Sequence, residues 1–411
     1  MNGKRTLWVL GICCTFLTSG LTSSTATAGA LSGNCRVGDQ PAATLLIPYF
    51  EVDLAHPGGA TTLMSVNNAS SKPAIARVVM WTDWGVPTLA FDIYLMGYDV
   101  QTLNLRDVFQ GKLPETAPPA IAGCGSTSGA ATNVAAAPAS VDFTYLRAAH
   151  TGEPVAKSTT SKCAGSPGPD PNLVTGYVTV DVVNRCSPRT VGATANTPAD
   201  PQYFAANGTG LAGDANVLWG DYYYVNSDKN LANSQTAVAI VADADFFNPG
   251  DYTFYGRYVN FDSRDDRVPL SSLYYARYLE GGGFSGGTDV VVWRDSRRAD
   301  ASLHDCGTKP DWAPLGEEQL VVFDESENSK EIPQSHTFPL ATQKVHVGGP
   351  SLPVSQPFGF LAIDLWHSDG THAQGWVSTL MTAEGRYGAG NAAVRMDDLC
   401  NFGKSGRGPQ K

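Results

Sequence analysis

Apolar residues in this chain recur in short runs rather than in helical stripes. Thr44 to Val52 reads TLLIPYFEV, and Thr61 to Val66, Ile75 to Trp81, Leu89 to Leu95 and Val100 to Leu105 follow at short intervals. Runs of this length, rich in β-branched and aromatic residues, predict strands. Turn-forming clusters separate them: His56-Pro57-Gly58-Gly59, Asn67 through Pro73, Asp83-Trp84-Gly85 and Gly97. Between Phe91 and Leu95, the residues Phe91, Ile93 and Leu95 alternate with Asp92 and Tyr94, the period of a half-buried antiparallel strand. Strands at this spacing predict an N-terminal β-sandwich module over residues 29–113.

The pattern breaks over residues 114–171, which are rich in Ala, Pro, Ser, Thr and Gly. This stretch reads as an insertion or linker held by its cysteines rather than by a core, with a short helix at Phe143 to Ala149. Strand signal resumes at Leu173 to Val183, where Val178, Val180 and Val182 alternate with Thr179 and Asp181. It continues at Val217 to Val225, Ala237 to Val241, Tyr252 to Val259, Asp289 to Trp293, Gln319 to Phe323, Gly359 to Trp366, Gly375 to Met381 and Ala392 to Met396. The expectation is a C-terminal β-rich region over 172–400 and a tail over 401–411. Long amphipathic helices and exact repeats are both missing from the pattern.

The first residues have a different character. Lys4 and Arg5 precede an apolar run from Leu7 to Leu17, and Ala26-Thr27-Ala28 follows. A basic start, a run too short to span a bilayer and small residues before a cut predict a signal peptide over 1–28. The chain is therefore expected to be exported: secreted, periplasmic or on the cell surface. No later apolar stretch reaches the roughly 18 residues of a membrane helix, so no transmembrane segment is expected beyond the leader. Cys35 follows Leu31-Ser32-Gly33-Asn34, one residue too long for a lipid-attachment signal.

The strand TTLMSVNN, the loop ASSKP, the strand AIARVVMW, the turn TDWGVP and the strands FDIYL and VQTLNLRD resemble an immunoglobulin-like module of bacterial surface proteins. With GYVTVDVV, LWGDYYYV and GGTDVVVWRD added, the longer pattern resembles exported bacterial proteins of uncharacterised function. The resemblance implies an all-β fold of antiparallel immunoglobulin-like β-sandwich type with long loop insertions. It carries no catalytic residues.

Charge narrows the partners. The formal net charge is −11, and loss of Lys4 and Arg5 would make it more negative still. Such a surface repels phosphate backbones and anionic headgroups, so nucleic acid is not an expected partner. An unknown protein or a glycan is. No cofactor is expected.

Each candidate for chemistry has a plainer alternative. Gly283-Phe284-Ser285-Gly286-Gly287 matches G-x-S-x-G, and Ala148-Ala149-His150 resembles the histidine motif of trypsin-like proteases. A secreted hydrolase using Ser285 and His150 is thus one alternative, although Phe284 stands where that family has an acidic residue. The plainer reading of the segment is a glycine-rich hairpin loop. His367 and His372 flank an Asp-Gly turn and could share a metal with Asp364 or Asp369, or form an ordinary solvated tip. Asp243, Asp245 and Asp251, and Asp262, Asp265 and Asp266, offer calcium ligands, with Arg257, Arg264 and Arg267 near enough to pair with them instead. Asn68-Ala69-Ser70 and Asn207-Gly208-Thr209 match the glycosylation pattern.

The segment from Trp219 to Trp293 is dense in aromatic residues. Alternation puts Tyr222 and Tyr224 on one face of a strand and Tyr223 on the other. Tyr222, Tyr223, Tyr224, Tyr255 and Tyr258 are the candidate binding platform, for sugars or for a protein; a core role is the alternative. The leading expectation is a non-enzymatic binding or structural surface protein.

Eight cysteines are present, and Cys13 and Cys14 fall in the leader. The other six, in an oxidising compartment, predict three disulfides out of 15 possible pairings. Cys163 and Cys186 flank the strand Leu173 to Val183, and Cys306 and Cys400 bracket the last strands, which leaves Cys35 with Cys124. Closing the loop between Cys163 and Cys186 should stabilise the fold by about 3 kcal/mol. Peptide mapping without reductant is expected to recover Cys163 joined to Cys186; Cys163 joined to any other cysteine would reject the scheme.

Overall fold

The computed structural model describes residues 40–114, 141–152, 170–186, 196–205, 209–243, 249–296, 320–332, 338, 341–365, 373–383 and 385–396. Its strands form four open sheets, and the strand pairings are antiparallel. The first 70 described residues supply β1 (Thr44–Asp53), β2 (Ala60–Asn68), β3 (Ala74–Trp81), β4 (Pro87–Leu95) and β5 (Val100–Asn104), followed by the short helix α1 (Leu105–Phe109). Helix α2 (Phe143–Thr151) precedes β6 (Leu173–Val183), β7 (Leu218–Asn226), β8 (Leu231–Thr236) and β9 (Val238–Ile240). The remaining strands are β10 (Leu273–Leu279), β11 (Gly287–Ser296), β12 (Leu320–Asp324), β13 (Ser329–Glu331), β14 (Thr342–His346), β15 (Phe358–Asp364), β16 (Ala373–Ala383), β17 (Tyr387–Ala392) and β18 (Val394–Arg395).

The first sheet runs β4-β3-β6-β1-β9 and the second β5-β2-β7-β8. β6 to β9 complete sheets that β1 to β5 begin, so the boundary expected near residues 113 and 172 does not divide the sheets. The third sheet runs β14-β11-β16-β17 and the fourth β13-β12-β15-β10-β18. One core lies between the first and second sheets, with Leu45, Ile47, Val78, Phe91, Val180 and Tyr222 among its members. Another lies between the third and fourth, with Tyr274, Val292, Leu361 and Val377.

A third core covers the opposite face of the first sheet. Ile75, Val79 and Trp81 of β3 meet Tyr203, Phe204, Phe254 and Tyr255 there, while Ala76, Val78 and Met80 of the same strand serve the first core. The first sheet is therefore buried on both sides. This corrects the half-buried reading of Phe91 to Leu95: Asp92 and Tyr94 point not to water but into the second apolar layer. Asp92 tolerates this because Arg77 on β3 lies opposite it in the ladder and donates from Nη1 to its Oδ1 at 2.7 Å. Arg77 also donates from Nε to the Asn196 carbonyl at 2.6 Å.

Two further expectations change. The run Tyr252 to Val259 is not a strand. It ends in a 3-10 turn, Gly256–Val259, and the rings of Phe254 and Tyr255 just before that turn cover the first sheet. A Cβ on Gly256 would meet the Phe261 ring at 2.7 Å, so the chain turns there on a residue without one. The helix expected at Phe143 is present, capped by the Asp142 side chain at one end and by Gly152 in the left-handed region at the other. It is held by core contact: Leu146 belongs to the first core, and Ala149 and His150 are buried. Cys186 is buried in the third core; the other seven cysteines fall beyond the described residues.

Removing one partner of a buried ion pair strands the other charge. Arg77→Ala and Asp92→Ala should each lose about 3–5 kcal/mol in urea unfolding, and the apolar double variant Arg77→Met/Asp92→Leu should recover most of that loss.

Candidate functional site

β7 gives the site its shape. Leu218, Tyr222 and Tyr224 are buried and face the first core, whereas Trp219 and Tyr223 are 37% and 39% exposed on the other face. Gly220 sits where a Cβ would meet the Ser65 carbonyl at 2.4 Å, so β7 can lie this close to β2 only with glycine there. Asp221 stands between the two exposed rings and accepts from the Ser65 hydroxyl at 2.7 Å. Behind the strand, the Tyr222 hydroxyl donates to Gln235 Oε1 at 3.0 Å, and the Tyr224 hydroxyl donates to the Tyr49 carbonyl at 3.0 Å. Burial pushes the pKa of both phenols up, Tyr224 strongly.

The second and third sheets meet where β8 runs beside β17. β17 carries Gly388 and Gly390 on the side that approaches β8; a Cβ on Gly390 would meet Asn233 Oδ1 at 2.3 Å and Gln235 Nε2 at 2.9 Å. At one end of this seam a cleft of about 470 Å³ opens, lined by Trp219, Asp221, Tyr223, Ser234, Gln235 and Trp376 among others. That volume lies within the usual range for small-molecule sites. Trp376 on β16 is 8% exposed, and its indole N–H has no hydrogen-bond partner among the described residues. Gln235 Nε2 is likewise buried and unpartnered. Such donors cost free energy unless something accepts from them.

At the other end lies a second, charged cleft of about 340 Å³, lined by Glu51, Lys229, Asp289, Lys344 and His346 among others. Lys344 pairs with Glu51, and His346 Nδ1 lies 3.0 Å from Asp289 Oδ1. Burial alone would lower the Lys344 pKa, but attraction to Glu51 and Asp289 outweighs it and holds the pKa above the ordinary value. These charges pair with one another across β1, β11 and β14, which gives them a structural task.

The five candidate tyrosines do not form one platform. Tyr222, Tyr224 and Tyr255 are buried core residues; Tyr258 is partly buried against the third core, under the Arg257 guanidinium 4.4 Å from its ring centroid. Tyr223 alone of the five is exposed on a sheet face, and its companions are Trp219 and Asp221, which the tyrosine count did not single out.

Ser285 and His150 are not brought together as a catalytic pair. Ser285 is exposed in the tight turn between β10 and β11. His150 is 3% exposed, packed between Phe50 and Phe109 with ring centroids 5.5 and 5.2 Å away. Its Nδ1–H donates to the Thr175 carbonyl at 2.7 Å, and Nε2 lies 2.7 Å from Thr88 Oγ1. Neither ring nitrogen is left to take a proton from serine.

Asp262 pairs with Arg264 at 2.6 Å, and Arg267 lies 3.4 Å from Asp265 and 3.6 Å from Asp266, so these acids hold guanidinium groups. Arg257 pairs instead with Asp295 at 3.1 Å. Among the described residues no group of three or more His, Cys, Asp or Glu is placed to hold a metal ion. His367, His372, Asp369, Asp245 and Asn207 lie outside the described residues. Asn68 is 2% exposed, with its amide donating to the carbonyls of Lys72 and Met96, so it is a structural residue rather than a glycan acceptor.

No protein-family model, curated protein or solved structure matches this chain.

Burial lowers the His150 pKa to about 4, against the raising effect of its bond to the Thr175 carbonyl. The folded chain then binds fewer protons than the unfolded chain between that value and the ordinary value near 6.5. Stability is fully present above about pH 6.5 and falls as the pH drops toward 4, by about 3 kcal/mol from this residue. Urea unfolding of wild type and His150→Gln across that range tests this: the difference between them should shrink by about 3 kcal/mol on acidification.

Proposed function

We propose that this chain is an exported, non-enzymatic binding protein whose ligand site is the cleft between β7–β8 and β16–β17. One observation carries the reading: two rings, Trp219 and Tyr223, stand exposed on one strand face, and the cleft they line is also lined by Trp376 and Gln235, whose buried indole and amide N–H groups lack acceptors among the described residues. Folded chains place large amphipathic rings at the surface where they make contact, and rarely leave buried donors unpaired. Export is supported by the basic start, apolar run and small residues of the first 28 positions. The paired antiparallel sheets and the sequence resemblance support immunoglobulin-like sandwich modules from a bacterial surface or periplasm, braced by the three disulfides. The hydrolase alternative has no comparable support, because both nitrogens of His150 are occupied within the core.

An array carrying glycans, peptides and small metabolites, probed with wild type and with the Trp219→Ala/Tyr223→Ala double variant, tests the reading. Wild type should retain ligands that the double variant loses. The thermal midpoint should stay within about 3 °C, since the replaced rings are exposed. Identical binding sets for the two proteins would overturn it.

A further inference from the structure

We infer that the cleft takes a neutral oligosaccharide; this rests on the proposal that the cleft is the ligand site. Trp219 and Tyr223 are four residues apart on β7 and share a face, which separates them by roughly 13 Å at the rise of an antiparallel strand. No single hexose bridges that distance, so two rings of a linear glycan must be engaged for both residues to contribute. A pyranose offers what each ring accepts: a face of C–H bonds carrying slight positive charge, against the negative π-face of the aromatic ring.

The polar groups that line the cleft select further: Asp221 between the rings, Trp376 on β16, and Gln235, whose amide lies on the Tyr222 face of β8. Asp221 is oriented by the Ser65 hydroxyl, which occupies Oδ1. Trp376 Nε1 and Gln235 Nε2 are donors without partners among the described residues, and both residues line the cleft. The Tyr222 hydroxyl holds the other end of the Gln235 amide. A ligand that reaches these groups would accept from N–H donors and donate to a carboxylate. Sugar hydroxyls do both, whereas an apolar ligand would leave the N–H groups unpaired. An anionic ligand would face Asp221 and a chain of net charge −11, so uronic acids and sulfated sugars are disfavoured.

The test is titration of the full chain, by tryptophan fluorescence and calorimetry, with cellohexaose, maltohexaose, mannohexaose and xylohexaose. Glucose and an oligogalacturonate serve as the monomeric and acidic controls. At least one neutral hexasaccharide should bind, with glucose and the acidic oligomer about tenfold weaker or worse. Trp219→Ala and Tyr223→Ala should each raise its Kd about tenfold, and Trp376→Phe, which keeps a ring and removes the N–H, should raise it several-fold. Unchanged circular dichroism and thermal midpoints in the variants would show that a lost signal is not a lost fold. If no neutral hexasaccharide binds, or binding ignores all three substitutions, the inference fails. Should a peptide or metabolite on the array still depend on Trp219 and Tyr223, only the sugar assignment falls. If nothing depends on them, the cleft reading falls with it.

Discussion

Asp181 lies at the centre of the first sheet, and most of what surrounds that sheet is arranged to satisfy it. Its strand, β6, pairs with β3 on one side and β1 on the other, so neither face nor edge of the residue reaches water. Burial raises the pKa of the carboxyl, and several groups oppose that shift: Arg267, the Thr44 hydroxyl at 2.5 Å, and the hydroxyls of Tyr203 and Tyr255 at 3.0 and 3.1 Å. Arg267 in turn donates from Nε to Thr44 Oγ1 at 2.6 Å and from Nη2 to the Gly213 carbonyl at 3.0 Å. One buried charge thus ties β1, β6, the Pro201–Phe204 turn and the segment before β10 into one geometry. An apolar residue at 181 would demand none of these partners but would leave the fully buried Arg267 with less opposing charge, so the members of the network hold one another in place.

That network explains why the aromatic segment is mostly core. Tyr203, Phe204, Phe254 and Tyr255 form the layer that keeps water from the second face of the first sheet, and two of their hydroxyls end on Asp181. Tyrosine suits this position because a ring can bury while its hydroxyl reaches a charge. The rings free for a ligand are the ones on a sheet with only one covered face. The second sheet is such a sheet, which is why β7 alternates buried and exposed along its length while β3 and β4 do not.

Much of this was legible from residues alone, and the failures have physical causes. β1, β3, β4 and β6 were readable because fully buried strands are apolar runs of Val, Ile and Leu. β8 (LANSQT) and β17 (YGAGNA) were not, because their exposed edges carry no apolar alternation; what holds β17 is its ladder to β16 and its fit against β8. The alternation of Tyr223 against Tyr222 and Tyr224 is plain in the sequence, whereas the part of Trp219 and Asp221 beside Tyr223 is not singled out by a count of tyrosines. Which set faces the core is not plain either, since that depends on the packing of β1 and β7 across strands far apart in the chain. The Asp92 side was misread for the same reason: period two says that a strand has two faces, not that one of them is wet.

The seam between β8 and β17 links the fold to both clefts. Glycines at 388 and 390 let β17 lie where side chains would strike Asn233, Gln235 and Leu231, so the second and third sheets meet closely along one line. Where that line ends, the sheets diverge and each end is left open. One end is filled by charges that satisfy each other, Glu51 with Lys344 and Asp289 with His346, and so needs nothing from outside. The other carries Trp376 and Gln235 donors that nothing in the described fold satisfies. Packing accounts for a charged joint whose members pair. It does not account for buried donors without acceptors among the described residues at the cleft that also carries two exposed rings, and that asymmetry between the two ends of one seam is what supports the proposal of a ligand site at the aromatic end.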